Sequence, residues 1–125
     1  MRHLIFATDA WALRATIEEE SPYHPLGLPA SGYPPDDAAG LGLTLAATPG
    51  YAEVMTVRRD RQDRVTAILA GLDDQTLEQE RTLPPAPGYP EQVRTVASCL
   101  RVVLREECEH RRYMERDLTA IQENG

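Results

Sequence analysis

The sequence has no lysine, few cysteines and no long run of apolar residues. Its 13 basic side chains are all arginine and face 20 acidic ones, so the formal net charge is −7. No stretch approaches the roughly 18 to 20 apolar residues that a membrane span requires. The segment 1–11 contains His3 and Asp9 and lacks the apolar core and cleavage site of a signal peptide. We therefore expect a cytoplasmic protein with no membrane partner.

The acidic charge also argues against nucleic acid as a partner, because proteins that bind DNA or RNA normally present a basic face. One local group of basic residues alternates with Asp60 and Asp63, which is typical of a solvated helix face rather than a phosphate-binding track. This group consists of Arg58, Arg59, Arg61 and Arg64. The use of arginine alone indicates a bacterial, GC-rich genome, an inference from composition only.

Cys99 and Cys108 are nine residues apart in one predicted helix. That spacing separates them by about 13 Å, which is too far for a disulfide. We predict that both are small buried hydrophobic residues in a protein of a reducing compartment.

The length of 125 residues indicates one domain, 1–125. Helical periodicity predicts three main helices, at about 2–19, 48–72 and 90–122. Thr48 is the expected N-cap of the second helix, with Pro49 at its first position, and Pro90 is expected to open the third. No strand-like alternation is convincing, so we predict an all-α helical bundle.

Several shorter features complete this prediction. The connection 21–47 is rich in Pro and Gly and is expected to pack across the bundle, with a helical turn near 36–41. A short helix over 75–79 is expected to be capped by Asp73 or Asp74. The apolar stripe of the last helix is expected to include Val93, Val96, Ala97, Leu100, Val103, Leu104, Met114, Leu118 and Ile121.

Glu106 and His110 are the main candidates for chemistry. Residues four apart stand on one helix face with Cβ atoms about 5 to 6 Å apart, a spacing at which one helix can offer two ligands to a metal. The alternative is a surface ion pair. His3 is a second candidate ligand, because facing helices can converge on one ion, whereas His24 is expected to be a hydrogen-bonding loop residue. Phosphate-loop, serine-hydrolase and Cys-x-x-Cys motifs are absent.

Two segments resemble DinB-like proteins. Residues 96–118 contain Glu106-Glu107-Cys108-Glu109-His110-Arg111-Arg112-Tyr113, which is similar to the E-E-W-E-H-H-R-Y pattern of the last helix in that family. Residues 2–11, which begin Arg2-His3-Leu4, are similar to its second helix. Two positions depart from the pattern, since Cys108 stands where Trp is usual and Arg111 where a second His is common.

The resemblance implies an up-down four-helix bundle of the DinB/mycothiol-dependent maleylpyruvate isomerase type, with a divalent metal held by His3, Glu106 and His110. Zn²⁺, Ni²⁺, Fe²⁺ and Mn²⁺ all suit such ligands. It further implies a metal-dependent thiol S-transferase or isomerase that uses a low-molecular-weight thiol, with mycothiol as the natural candidate. The alternative is a non-catalytic stress or binding protein with a degenerate or incomplete metal site.

The resemblance also implies that the family's first helix is missing. We expect this to leave an apolar groove, with a homodimer formed through it as one outcome and aggregation as another. We also expect His3 to bind metal weakly, because the first turn of a chain frays.

Overall fold

The computed structural model describes the backbone of residues 1–124 and the side chains of residues 1–112. It is mostly helical, so the predicted all-α class is confirmed. The helices are α1 (Arg2–Thr8), a π-helical segment (Asp9–Arg14), α2 (Pro35–Gly40), α3 (Tyr51–Ala70), α4 (Asp74–Leu77) and α5 (Val96–Asn124). Two short strands, β1 (Glu80–Arg81) and β2 (Arg94–Thr95), pair antiparallel with Glu80 opposite Thr95. This two-residue ladder was not predicted.

The first helix ends earlier than the predicted residue 19 and changes its hydrogen-bond pattern. The amide of Ala15 donates to the Ala10 carbonyl at 3.0 Å, a five-residue step typical of a π-helix. The Thr16 hydroxyl donates to the Trp11 carbonyl at 2.8 Å, which satisfies a carbonyl that the wider turn leaves without a normal partner. Glu18 then takes a positive φ of 61°, which ends the helical path before Pro22 is reached.

The second main helix begins three residues later than predicted. Gly50 is its N-cap, with an extended backbone and a carbonyl that accepts from the Val54 amide at 3.1 Å. Thr48 and Pro49 therefore precede the cap, and the prediction that Thr48 caps this helix is wrong. The helix ends at Ala70 rather than near 72.

The last helix begins at Val96, because residues 94–95 are used in strand pairing. The prediction that Pro90 opens this helix is therefore wrong. The Thr95 hydroxyl accepts from the Ser98 amide at 3.1 Å, as an N-cap side chain does. Val93 lies outside the helix and is 60% exposed, contrary to the predicted stripe. Met114, Leu118 and Ile121, also predicted on that stripe, lie outside the described side chains.

The core has two parts on either side of α1 and the π-helical segment. Helix α1 contacts both α3 and α5, and the π-helical segment contacts α5. In one part, Ala12 packs with the α5 residues Val96, Leu100 and Val103. In the other, Phe6 and Ala10 pack beneath the connection 21–47. That connection therefore covers the bundle, as expected. Within it lies α2, close to the predicted 36–41 turn, and the Asp73 side chain caps α4 by accepting from the Thr76 amide at 2.7 Å.

The two cysteines differ in exposure. Cys99 is buried as predicted, while Cys108 is exposed, so the prediction for Cys108 is wrong. Cys108 lies one helical turn after Leu104, which was predicted on the apolar stripe but is 48% exposed. Both thiols are free.

An apolar groove lies between α3 and α5. Val65 and Leu69 line one side and Val103 and Leu104 the other, with Thr8 among the lining residues. That this is the groove expected from a missing helix, and that a second copy occupies it, both stay predictions. Within the described residues, no helix has the length and apolar character needed to cross a membrane.

Candidate metal centre

His3 and Glu106 come together where α1 packs against α5. The Nε2 atom of His3 lies 3.4 Å from the Oε2 atom of Glu106. The two side chains are 41% and 31% exposed, so solvent or a small ligand can reach both. Two of the three predicted ligands, 103 residues apart in the sequence, are therefore in contact.

The connection 21–47 orients the imidazole of His3. Its Nδ1 atom lies 3.0 Å from the Leu28 carbonyl oxygen, so Nδ1 carries the proton and donates. In the neutral ring Nε2 then has the free lone pair, and it is Nε2 that faces Glu106. A backbone carbonyl that fixes the tautomer in this way is the usual outer partner of a metal-binding histidine.

The first turn of α1 makes several hydrogen bonds to the connection 21–47. The Arg2 guanidinium donates to the carbonyls of Leu26, Thr44 and Ala47 at 2.7 to 2.9 Å. The Leu28 amide donates to the Arg2 carbonyl at 3.1 Å. With the His3 bond, these contacts tie the first turn of α1 to the connection 21–47. The expectation that this turn frays, and the metal affinity of His3, both stay predictions.

His110 belongs to the same pocket. A pocket of about 140 Å³ is lined by His3, Leu4, Glu106, Glu109 and His110. The Nε2 atom of His110 is buried and has no hydrogen-bond partner. An unpaired buried nitrogen costs free energy unless something binds it. Glu109 is a second carboxylate that the sequence analysis did not select, although its position next to His110 was a usable signal.

The charges around His110 favour a neutral ring. Burial lowers its pKa, and the positive charges of the Met1 amino group and Arg58 lower it further, while Glu107 raises it. A neutral imidazole is the form that binds a metal. The same positive charges also oppose a bound cation, so the carboxylates of the pocket have to outweigh them.

The three predicted ligands share one pocket but are not arranged as a closed set. Among the residues whose side chains the structure describes, no three His, Cys, Asp or Glu are positioned to hold a metal ion together. The residue types nevertheless fit a divalent metal, because His110 offers an unused nitrogen and His3 an oriented one, and Glu106 lines the same pocket. Tyr113, three residues after His110, lies outside the described side chains.

The arginines of α3 were predicted to form a solvated face, and for Arg58 and Arg61 this is wrong. Arg58 is buried and forms a two-point contact with Glu107 of α5 at 2.6 and 2.7 Å. Arg61 pairs with the buried Asp9 at 2.6 Å, and Arg64 pairs with Glu19. Glu107 directly follows Glu106 in the sequence. Its contact with Arg58 therefore fixes the part of α5 that carries the candidate site.

His24 behaves as expected for a loop residue. Its Nδ1 atom accepts a hydrogen bond from the Leu26 amide at 3.1 Å, and its own amide donates to Asp9 at 2.9 Å. His24 is not among the residues that line the pocket.

The fold and the pocket define a small helical bundle with histidine and carboxylate side chains gathered between its first and last helices. The sequence profile of the DinB superfamily matches residues 1–114, and the chain belongs to this superfamily. Its members generally bind a metal. No curated protein matches the chain, and no solved structure matches it.

Proposed function

We propose that this DinB-superfamily protein binds one divalent metal ion through His3, Glu106 and His110 and uses it to activate a low-molecular-weight thiol. The observation that supports this most is the buried, unpartnered Nε2 atom of His110 in the pocket that also contains the His3–Glu106 pair. Two imidazoles and one carboxylate suit Zn²⁺, Ni²⁺, Fe²⁺ or Mn²⁺. Three protein ligands leave positions open for water or substrate, as in catalytic sites.

The bound cation would stabilise the thiolate form of the thiol and so supply the nucleophile for S-transfer or isomerisation. The residues of the chain have separate parts in this. The Leu28 carbonyl holds the His3 ring with Nε2 toward the pocket. The surroundings of His110 keep its ring neutral, and the exposed edge of the pocket admits the thiol.

Metal titration by calorimetry tests the binding step. Zn²⁺ and Ni²⁺ should bind at one per chain, and His110→Ala, His3→Ala and Glu106→Gln should each weaken binding by about 100-fold or more, beyond the effect typical of second-shell changes. Glu53→Gln, on the exposed first turn of α3, is the matched control and should bind as the wild type does. No stoichiometric metal in the wild type would overturn the proposal.

The thiol step has its own readout. Adding cysteine to the Ni²⁺-loaded protein should produce a near-ultraviolet thiolate-to-metal absorption band, which should be absent from His110→Ala. Metal binding without such a band would favour the second candidate, a non-catalytic binding or stress protein. That candidate is supported by the finding that no three ligands are already arranged around one point among the described side chains.

A further inference from the structure

The turn formed by residues 24–28 of the long connection is closed by two hydrogen bonds that both end on His24. The His24 carbonyl accepts from the Gly27 amide at 3.0 Å. The His24 imidazole accepts from the Leu26 amide through its Nδ1 atom at 3.1 Å. Asn and Asp side chains make the same bond to the amide two residues later in Asx turns, and His24 takes their place here. Because Nδ1 is the acceptor, the neutral ring carries its proton on Nε2.

The same turn supplies two of the carbonyls that hold the first turn of α1. The Leu26 carbonyl accepts from the Nε atom of Arg2 at 2.7 Å, and the Leu28 carbonyl accepts from the Nδ1 atom of His3 at 3.0 Å. The Leu28 amide donates in the opposite direction, to the Arg2 carbonyl at 3.1 Å. The orientation of the His3 ring therefore depends on where the turn places Leu28.

The turn is anchored to the interior of the bundle at its other end. The His24 amide donates to the Oδ2 atom of Asp9 at 2.9 Å. Asp9 is fully buried and pairs with Arg61 of α3 at 2.6 Å. The backbone of His24 is thus fixed to a buried ion pair, while its imidazole closes the turn that carries the Leu28 carbonyl.

Gly27 allows this turn to approach α1 closely. A Cβ atom at Gly27 would lie 3.3 Å from the His24 carbonyl oxygen and 3.3 and 3.4 Å from the Cβ and Cα atoms of Phe6. These contacts are tighter than a Cβ normally makes, and the atoms involved cannot swing aside as the end of a long side chain can. Any side chain at residue 27 would therefore push the turn away from the helix that carries His3.

We propose that His24 and Gly27 are positioning residues of the candidate metal centre. Together they hold the Leu28 carbonyl where it keeps the proton of His3 on Nδ1, which leaves Nε2 free to bind the metal. This inference rests on the proposed function for the metal that Nε2 would bind. The tautomer of His3 can be measured in the metal-free protein, so the two proposals can fail separately.

The tautomer is read from proton–nitrogen correlation spectra of the imidazole rings, which show which ring nitrogen carries the proton. The chain has three histidines, so their signals can be assigned from single substitutions. With EDTA present and at about pH 8, where ordinary imidazoles are neutral, wild-type His3 should carry its proton on Nδ1 and His24 on Nε2. A wild-type His3 with its proton on Nε2 would overturn the proposal, whether or not the protein binds metal.

Two substitutions of His24 separate its hydrogen bond from its volume. His24→Leu fills similar space but has no acceptor, so His3 should become a mixture of tautomers and Zn²⁺ affinity should fall by about tenfold, in the range of outer-shell changes. His24→Asn is smaller, but its side-chain oxygen can accept from the Leu26 amide. This variant should keep the tautomer and the affinity close to those of the wild type. Rescue by Asn is not expected if His24 only fills space.

Gly27→Ala tests the close approach and is a smaller change, should His24→Leu not fold. It should also mix the His3 tautomers and weaken Zn²⁺ binding. Gly40→Ala is the matched control, because a Cβ at Gly40 would have no atom within 4 Å. A tautomer shift in the variants of a wild type that binds no metal would support the positioning of His3 and overturn the proposed function. An unchanged His3 tautomer in folded His24→Leu and Gly27→Ala would overturn the positioning role, even where the wild type binds Zn²⁺.

Discussion

The Nε atom of Arg61 on α3 lies 2.6 Å from the Oδ1 atom of Asp9, a carboxylate that is fully buried in the π-helical segment. The other Asp9 oxygen accepts from the His24 amide at 2.9 Å, and Arg61 also donates to the Pro22 carbonyl at 3.3 Å. This one ion pair therefore joins the first helix, α3 and the long connection. Burial raises the pKa of Asp9, while Arg61 and the His24 amide lower it.

Removing one member of this pair should destabilise the fold strongly. Arg61→Leu leaves the Asp9 carboxylate buried without its cation, and breaking a buried pair in this way costs about 3–5 kcal/mol. Urea denaturation should show this loss, with a smaller loss for the double variant Asp9→Leu/Arg61→Leu, which leaves no buried charge. Arg59→Ala, at an exposed position of the same helix, should change stability by less than about 0.5 kcal/mol. If Arg61→Leu changed the free energy of unfolding as little as Arg59→Ala does, the buried ion pair seen in the structure would be contradicted.

Tyr23 predicts how stability changes at alkaline pH. Its hydroxyl donates to the Pro85 carbonyl, and burial raises the pKa of the phenol from 10.0 to about 12. The folded protein thus prefers the neutral phenol, so this contribution is complete below pH 10 and is lost as pH rises toward 12. A shift of this size corresponds to roughly 2 to 3 kcal/mol.

The measurement is the free energy of urea unfolding at several pH values between 9 and 12. It should fall more steeply with pH in the wild type than in Tyr23→Phe, which has no phenol to ionise. Tyr51→Phe is the control at an exposed position and should follow the wild-type slope. Parallel slopes for the wild type and Tyr23→Phe would show that folding does not raise the pKa of Tyr23.

The helical class could be predicted from the sequence because helical periodicity is a local signal. The ends of the helices were less predictable. The start of α5 depends on pairing between residues 80–81 and 94–95, and the π-helical turn depends on hydroxyl contacts such as Thr16 with Trp11. Neither produces a periodic pattern in the sequence.

In the candidate site, too, local spacing could be predicted from the sequence and contacts between distant residues could not. The spacing of Glu106 and His110 placed both on one face of one helix, and both line the pocket. His3 was selected mainly through resemblance, since no local pattern links residues 103 positions apart. The ion pairs of Arg58 and Arg61 were missed because both arginines have acidic neighbours in the sequence, which is typical of a solvated face. Their actual partners, Glu107 and Asp9, are 49 and 52 residues away.

The groove between α3 and α5 predicts a homodimer. Leu69 and Leu104 are 42% and 48% exposed on its two sides. Two copies related by a two-fold axis would cover these exposed leucines with the same face of the partner.

Sedimentation equilibrium across a range of concentrations tests this prediction. The wild type should be a dimer, and Leu104→Asp should shift it to the monomer, because a buried unpaired carboxylate opposes association. Val93→Asp is the control, since Val93 is 60% exposed and does not line the groove. A monomeric wild type at all concentrations would rule out a second copy as the occupant.

Arg2 should support both the fold and the candidate metal centre although it does not line the pocket. Its guanidinium donates to three carbonyls of the long connection, which also contains the Leu28 carbonyl that orients His3. Arg2→Ala removes these charged hydrogen bonds, so it should cost roughly 1.5 to 3 kcal/mol of stability. Because the His3 ring then loses part of its support, Zn²⁺ affinity should fall by about tenfold, in the range seen for second-shell changes.

The two effects can be separated by measurement. Calorimetric titration is done at a temperature where the variant is fully folded by circular dichroism, so the affinity loss does not report unfolding. Arg101→Ala, which removes an exposed arginine of α5 outside the pocket, should leave both quantities unchanged. An Arg2→Ala protein that loses stability but binds Zn²⁺ like the wild type would show that the connection does not position His3. Loss of affinity in both variants would point instead to the general charge of the chain.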